Sequence, residues 1–169
     1  DALVSSSYAR NPVRMKEEVW SIVNRRIQEG HYRTPLDIVR CCGDPMIAIA
    51  AGIAATYSGS IILGGGTQML SVAAVLKGMN LPAPGIATTC YVRDDSSANF
   101  AEIAGMIGTP VYYVDPGFGE LGHSGLARYC IGEVKEGMGA GGAMFLAWLM
   151  GHSPDAIRKK ILHTVHGYA

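Results

Sequence analysis

Charged side chains are scarce in this sequence, and neither sign is in excess. They make up 17% of its 169 residues, with 14 Lys+Arg against 14 Asp+Glu. A net charge of zero gives no overall field that attracts nucleic acid or anionic lipid, so we expect neither partner. Every apolar stretch is shorter than the roughly 20 residues that a bilayer-spanning helix needs, so we expect no membrane span. Disorder is excluded as well, because hydrophobic residues make up 49% of the chain.

Cysteine is present but not in a pattern that indicates disulfides or a metal site. The chain has 4 cysteines, with Cys41 and Cys42 adjacent, Cys90 and Cys130 alone in apolar contexts, and no Cys-x-x-Cys. This spacing predicts buried free thiols in a reducing compartment. The given residues do not open with a charged-then-apolar pattern, so we expect no secretory leader. We therefore expect a cytoplasmic protein.

Glycine is the residue in surplus, with 22 of 169 against a usual share of about 7%. A chain this rich in glycine contains many tight turns, or brings its backbone close to a ligand.

Short β-rich runs alternate with longer helical patterns along the chain. Strands are predicted at 3–6, 60–63, 86–92 and 110–114. Helices are predicted at about 12–28, 35–43, 45–56, 67–77, 98–107, 126–131, 143–150 and 154–165, several of them opened by a capping residue followed by proline. This alternation is typical of one α/β domain over 1–169, a three-layer Rossmann-like fold whose mostly parallel sheet is flanked by helices.

In such sheets ligands bind beyond the carboxyl ends of the strands. Those ends are predicted at 5–7, 64–67, 93–97 and 115–117, and they are rich in Gly, Ser, Asp and Thr. The sequence therefore predicts the position of a binding site before it indicates the ligand.

The run Gly64-Gly65-Gly66-Thr67 lies between a predicted strand and a predicted helix. A helix N-terminus in this position suits a phosphate or ribose. Tight packing of helix on strand explains the glycines equally well. A dinucleotide fingerprint would need a third glycine where Met69 stands and a carboxylate about 20 residues further on, which disfavours a dehydrogenase.

A second glycine-rich run, 137–142, follows Glu136 and precedes an apolar helix. Small residues let a flat ligand approach the backbone, and apolar surroundings raise the pKa of a carboxyl group, which makes it a better base near neutral pH. The alternative is that Glu136 only complements the helix dipole.

The other candidate motifs are weak. His163 and His166 are three residues apart with no further ligand, and the adjacent Asp94 and Asp95 alone do not define a cation site, so we expect no metal and no cofactor. Ser124 lacks both the Gly-x-Ser-x-Gly spacing and a preceding strand, which disfavours a serine hydrolase.

The two glycine-rich runs in this order, 64–69 and 134–143, resemble the nicotinate-nucleotide–dimethylbenzimidazole phosphoribosyltransferase family, and most closely its archaeal branch. The resemblance covers the whole chain. It implies an enzyme that transfers phosphoribose from nicotinate mononucleotide to 5,6-dimethylbenzimidazole, giving nicotinate and α-ribazole 5′-phosphate for the lower ligand of cobalamin.

The resemblance also assigns residues. Glu136 matches the catalytic glutamate of the family, with Gly137 beside it at the substrate. Lys16 and Ser97 match phosphate contacts, and Gly64, Gly65, Gly66 and Thr67 occupy a substrate-binding turn. The sequence departs from the family at this turn, where an Asp is absent, and before Glu136, where Lys135 replaces a glycine.

Members of that family are about twice this length, so the resemblance implies that the chain is the C-terminal part of a longer phosphoribosyltransferase and forms a homodimer. We expect the isolated chain to be weakly active at best. The alternative is a non-catalytic homologue that binds a nucleotide and has lost the chemistry.

Overall fold

The computed structural model describes residues 12–133 and 139–168. The strand predicted at 3–6 lies outside these residues. The helices are α1 Val13–Glu29, α2 Pro35–Cys42, α3 Pro45–Thr56, α4 Thr67–Gly78, α5 Cys90–Arg93, α6 Phe100–Ile107, α7 Ser124–Ala127, α8 Gly139–Leu149 and α9 Pro154–His166. The strands are β1 Ile62–Gly64, β2 Gly85–Thr89 and β3 Val111–Val114.

The three strands form one parallel sheet in the order β1-β2-β3. Leu63 of β1 pairs with Ile86 of β2, which pairs with Val111 of β3. The crossovers from β1 to β2 and from β2 to β3 run through α4 and α6, as parallel strands require. The predicted three-layer α/β fold is confirmed.

The main core lies between the sheet and the layer that contains α3, α4 and α6. Leu63 and Ile86 join Leu70, Val72 and Phe100 there, all of them buried. The opposite face of the sheet is covered by α8, which lies against all three strands. Side chains alternate between the two faces along each strand, so the residues next to Leu63 and Ile86 face α8.

Three helices begin where the sequence predicts, because a capping side chain precedes a proline. The side chains of Thr34, Asp44 and Ser153 accept hydrogen bonds from backbone N–H groups in the first turns of α2, α3 and α9. Each cap satisfies a donor that has no partner within the helix.

The strand predicted at 86–92 was too long. β2 ends at Thr89, which pairs with Val114. Two residues beyond the end of β3, Pro116 has no N–H that could continue the hydrogen-bond ladder. The chain therefore leaves the sheet and forms α5.

The last apolar helix starts earlier than predicted, at Gly139 rather than 143. Its glycines have low helix propensity. Packing of this segment on the sheet outweighs that propensity, as the contacts below show.

Several apolar helix faces are not covered by the described residues. Ile49, Ile53 and Tyr57 form one stripe at and just beyond α3, and each is about 60% exposed. α3 is therefore not a fully buried helix within this chain. Met15 and Val19 of α1 are more than half exposed as well.

Candidate functional site

The carboxyl ends of the three strands meet at one edge of the sheet, and each continues into a loop or turn rich in polar residues and glycine. Gly65 and Gly66 follow β1, α5 and the turn at 94–99 follow β2, and Asp115–Gly117 follows β3. We name this border the carboxyl edge. Three of the four strand ends predicted from the sequence are there, and the fourth, 5–7, lies outside the described residues.

The start of α4 is built as an anion site requires. Gly66 is its N-cap, and no side chain in the described part of the chain caps it. The N–H groups of Thr67 and Gln68 belong to the first turn, where no intrahelical acceptor exists. Thr67 is 5% exposed. The Gly65 N–H is already used, because it donates to the Ala87 carbonyl at 3.1 Å. Gly66, Thr67 and Gln68 are thus the part of this turn that can receive a ligand.

Gly64 has a different role from its neighbours. A Cβ on Gly64 would lie 3.0 Å from the Cα of Gly142 in α8, and a Cβ on Gly142 would collide with the Cα of Gly64. Gly141 is equally close to the backbone of Thr88, since its Cβ would lie 2.6 Å from the Thr88 Cα. Tight helix–strand packing therefore accounts for Gly64, Gly141 and Gly142. The first turn of α8 lies at the carboxyl ends of β1 and β2.

Thr88 is the residue of β2 whose backbone lies against Gly141. It is fully buried, and its hydroxyl has no hydrogen-bond partner in the part of the chain that the structure describes. Because α8 covers the other face, the Thr88 side chain points toward the α4 and α6 layer, as Ile86 does. An unpaired buried hydroxyl lowers stability unless a water or ligand atom reaches it.

The turn after α5 holds Ser97, one of the predicted substrate contacts. Its backbone N–H and its hydroxyl both donate to Asp95 Oδ1, at 3.0 Å and 2.6 Å. Arg93 donates to both carboxylate oxygens of Asp94, at 2.7 Å and 2.9 Å. That hydrogen bonding by Arg93 lowers the pKa of Asp94 below its ordinary value. The hydroxyl and the guanidinium in this turn are thus held by neighbouring carboxylates.

Arg158 of α9 holds the loop after β3. Its guanidinium donates to the carbonyl of Pro116 at 3.2 Å and to that of Asp115 at 3.4 Å. It lies against Gly117, whose positive φ of 63° suits glycine. The Asp115 carboxylate accepts the Gly117 N–H at 2.9 Å. These contacts fix Asp115 at the carboxyl edge.

The remaining predicted site residues are not at this edge or are not described. Lys16 lies in the first turn of α1, which packs against α2 in the helical layer rather than at a strand end. Glu136 and Gly137, the predicted catalytic residue and its neighbour, lie outside the described residues.

The prediction of buried thiols was wrong in part. All four cysteines are free, but Cys130 is exposed and Cys41, Cys42 and Cys90 are half-buried. Cys130 lies in a surface turn whose neighbour Ile131 is 69% exposed, so the apolar sequence context there does not reflect burial.

The strand end at 115–117 was predicted from the sequence, but the side chains that gather there were not. Cys90 Sγ lies 3.6 Å from Asp115 Oδ1, and Arg93 lies over the Tyr113 ring at 5.7 Å from its centroid. The pKa of the Cys90 thiol is raised to about 11, mainly by burial and to a smaller extent by the Asp115 carboxylate. The sequence feature that could have predicted this cluster is that Cys90 and Asp115 both lie near the carboxyl ends of predicted strands.

Within 12–133 and 139–168, no cluster of three or more His, Cys, Asp or Glu side chains is arranged to hold a metal ion. No helix in those ranges is long and apolar enough to span a bilayer.

An α/β protein with a parallel sheet and an uncapped helix start at its carboxyl edge is the class that these observations define. No protein-family model matches the chain. Curated relatives do: it is 41% identical to a UPF0284 protein of Methanosarcina mazei in an alignment of 174 positions that covers 94% of this chain and 48% of that protein. A UPF0284 protein of Thermococcus gammatolerans is 43% identical in an alignment of 166 positions that covers 95% of this chain and 50% of that protein.

The UPF0284 protein of Methanothermobacter thermautotrophicus is similar to the same extent, at 41% identity over 95% of this chain and 47% of its own length. The chain thus spans about half the length of the curated relatives it matches. Their names state no substrate or activity.

Proposed function

We propose that this chain is the C-terminal part of a phosphoribosyltransferase that moves phosphoribose from nicotinate mononucleotide to 5,6-dimethylbenzimidazole. The observation that carries the proposal is the uncapped start of α4 at the carboxyl edge, formed by Gly66, Thr67 and Gln68. A phosphate there would accept hydrogen bonds from N–H groups that have no acceptor within the helix, and it would face the positive end of the helix dipole.

A second observation supports the same site. α8, which follows Glu136 in the sequence, packs its Gly141 and Gly142 against Thr88 and Gly64. The helix after the predicted catalytic residue and the helix at the predicted phosphate site therefore start at the same edge of the sheet.

In the proposed reaction, a ring nitrogen of the benzimidazole attacks C1′ of the ribose. The bond from C1′ to the pyridine nitrogen breaks, and nicotinate leaves with the electron pair. Glu136 takes the proton from the benzimidazole N–H. General bases of this kind contribute about 10²- to 10⁴-fold to rate.

The experiment is a product assay with nicotinate mononucleotide and 5,6-dimethylbenzimidazole, followed by chromatography and mass spectrometry for nicotinate and α-ribazole 5′-phosphate. We expect Glu136→Gln to lose at least 10²-fold in rate while mononucleotide binding remains. The matched control is Glu133→Gln, because Glu133 is exposed and pairs with Arg128 at 3.8 Å. Normal turnover by Glu136→Gln would remove Glu136 from its role.

Because the chain spans about half of its relatives, the assay is run beside the full-length relative from Methanosarcina mazei. We expect the isolated chain to be slower. Saturable binding of the mononucleotide by both proteins with no product from either would favour the alternative, a non-catalytic nucleotide-binding homologue. The hydrogen bonds from Ser97 to Asp95 favour that alternative, since they occupy a predicted phosphate contact.

We also propose that the chain associates as a homodimer through its uncovered apolar faces. The stripe of Ile49, Ile53 and Tyr57 is the strongest candidate, because these three side chains at and just beyond α3 are all more than half exposed. Light scattering should give a dimer, and Ile53→Glu should shift the mass toward the monomer. A monomer at micromolar concentration before substitution contradicts this proposal.

A further inference from the structure

A cavity of about 360 Å³ lies between the ends of β2 and β3. Cys90, Tyr91, Arg93, Tyr113 and Asp115 are among the residues that line it. Neither the start of α4 nor Ser97 belongs to its lining. Its volume falls in the range of small-molecule sites, which are about 300–1,000 Å³. The cavity is therefore separate from the proposed phosphate position.

The cations near this cavity already have anionic partners. Arg93 makes two hydrogen bonds to the carboxylate of Asp94. The Arg158 guanidinium, which donates hydrogen bonds to the loop after β3, lies 3.7 Å from the Glu120 carboxylate. An anionic ligand would have to displace one of these carboxylates before it gained a cation.

Among the described residues, Asp115 is the lining carboxylate that has no cationic partner within ion-pair distance. Its Oδ1 accepts the Gly117 N–H at 2.9 Å and lies 3.6 Å from the Cys90 thiol. Among the described residues, no lysine or arginine side chain pairs with this carboxylate. The thiol adds no charge at neutral pH, because its pKa is raised to about 11 by burial and then by Asp115.

Aromatic rings line the same cavity. Tyr91 stacks on Phe118 with a centroid distance of 5.9 Å, and its hydroxyl accepts the Phe118 N–H at 3.1 Å, so the position of this ring is fixed. Tyr113 packs edge-on against Phe100 at 6.4 Å. Tyrosine rings attract cations through their faces, and they pack well against planar groups.

We propose that this cavity binds a planar organic cation, such as an amidinium, a guanidinium or a protonated nitrogen heterocycle, with Asp115 as its counter-ion. The two N–H groups of an amidinium match the two oxygens of a carboxylate, and the hydrogen bonds are strengthened by charge. Tyr91 supplies an apolar wall for the flat part of the ligand, whereas the Tyr113 ring already has the Arg93 guanidinium over one face. This inference does not depend on the proposed transfer reaction.

The experiment is a titration of the chain with benzamidine, followed by calorimetry or by NMR at low ionic strength without any nucleotide. Benzoate and benzamide are matched probes, because they have the same shape with a negative charge and with no charge. We expect benzamidine to bind at least tenfold more tightly than either. Equal or tighter binding of benzoate overturns the proposal.

Asp115→Asn should reduce benzamidine binding to the level of benzamide, since asparagine keeps an oxygen for the Gly117 N–H but has no charge. Glu133→Gln is the control that removes a carboxylate outside the lining. Unchanged binding by Asp115→Asn overturns the proposal.

A second readout does not depend on a variant. Saturating benzamidine should slow alkylation of Cys90 at pH 9 and leave Cys41, which is outside the cavity, unaffected. Equal effects on the two thiols would contradict binding at this position. Because no mononucleotide is present, failure of this experiment and failure of the transfer assay are separate results.

Discussion

Gly64 of β1 and Gly142 of α8 touch backbone to backbone, with no room for a side chain on either residue. A Cβ on Gly142 would collide with the Gly64 Cα, so a side chain there would push α8 away from the sheet. The contact draws the start of α8 onto the carboxyl edge. It joins the two glycine-rich runs of the sequence in one structural feature.

The first prediction concerns this contact. Gly142→Ala should lower the free energy of unfolding by about 3 kcal/mol, because added atoms in a tightly packed region force the backbone apart. Gly52→Ala is the matched control. Gly52 is also inside a helix, but a Cβ there meets nothing within 4 Å. The control should raise stability by about 0.5–1 kcal/mol, which is the difference in helix propensity. Urea denaturation measures both changes, and equal effects would contradict the role of the contact.

This contact shows which features of the fold could be predicted from the sequence and which could not. The alternation of β-rich runs with helical patterns predicted the parallel sheet and its carboxyl edge, since both depend on local periodicity and turn residues. The packing of Gly142 on Gly64 depends on residues 78 positions apart, and no local pattern distinguishes a glycine against a strand from a glycine against a ligand. The sequence therefore left both interpretations open.

The side chains around Asp115 show the same limit. Cys90 and Asp115 are 25 residues apart, and they meet because β2 and β3 are neighbours in parallel register. The order of strands in the sheet is a tertiary property. Likewise, the end of β2 at Thr89 follows from Pro116 in the adjacent segment rather than from the β-forming residues 90–92 themselves.

The second prediction concerns the unpaired hydroxyl of Thr88. Thr88→Val keeps the shape of the side chain and removes a buried polar atom without a partner in the described chain. We expect the free energy of unfolding to rise by about 1 kcal/mol. Thr109→Val is the control. It should destabilise by about 1 kcal/mol, because the Thr109 hydroxyl donates to the Pro84 carbonyl at 2.6 Å. A loss of stability in Thr88→Val would mean that a water or ligand atom satisfies its hydroxyl.

The third prediction concerns the thiol of Cys90. Its pKa is raised to about 11, first by burial and then by the Asp115 carboxylate. Alkylation requires the thiolate, so the rate at Cys90 should keep rising between pH 9 and pH 11. The raised pKa also means that folding favours the neutral thiol. The contribution of Cys90 to stability is therefore present below the unfolded pKa of 9.0 and is lost as pH rises through about 11.

Mass spectrometry of iodoacetamide-treated protein follows Cys90 directly when Cys41, Cys42 and Cys130 are replaced by serine. Asp115→Asn in that background removes a negative charge that opposes the thiolate. The alkylation midpoint should move to lower pH. A midpoint that stays in place would show that burial alone raises the pKa.

The last prediction compares two glycines with similar positive φ angles. Gly117 and Gly122 have φ values of 63° and 68°, so alanine is strained at both positions, at a cost of about 1 kcal/mol. Only Gly117 is crowded, because a Cβ there would lie 2.6 Å from Arg158 Cζ, whereas nothing lies within 4 Å at Gly122. Gly117→Ala must displace the guanidinium from the Pro116 carbonyl and should cost about 1 kcal/mol more than Gly122→Ala. In an Arg158→Ala background the two substitutions should cost the same in urea denaturation. A difference that persisted there would place its origin in the loop itself rather than in the arginine that holds it.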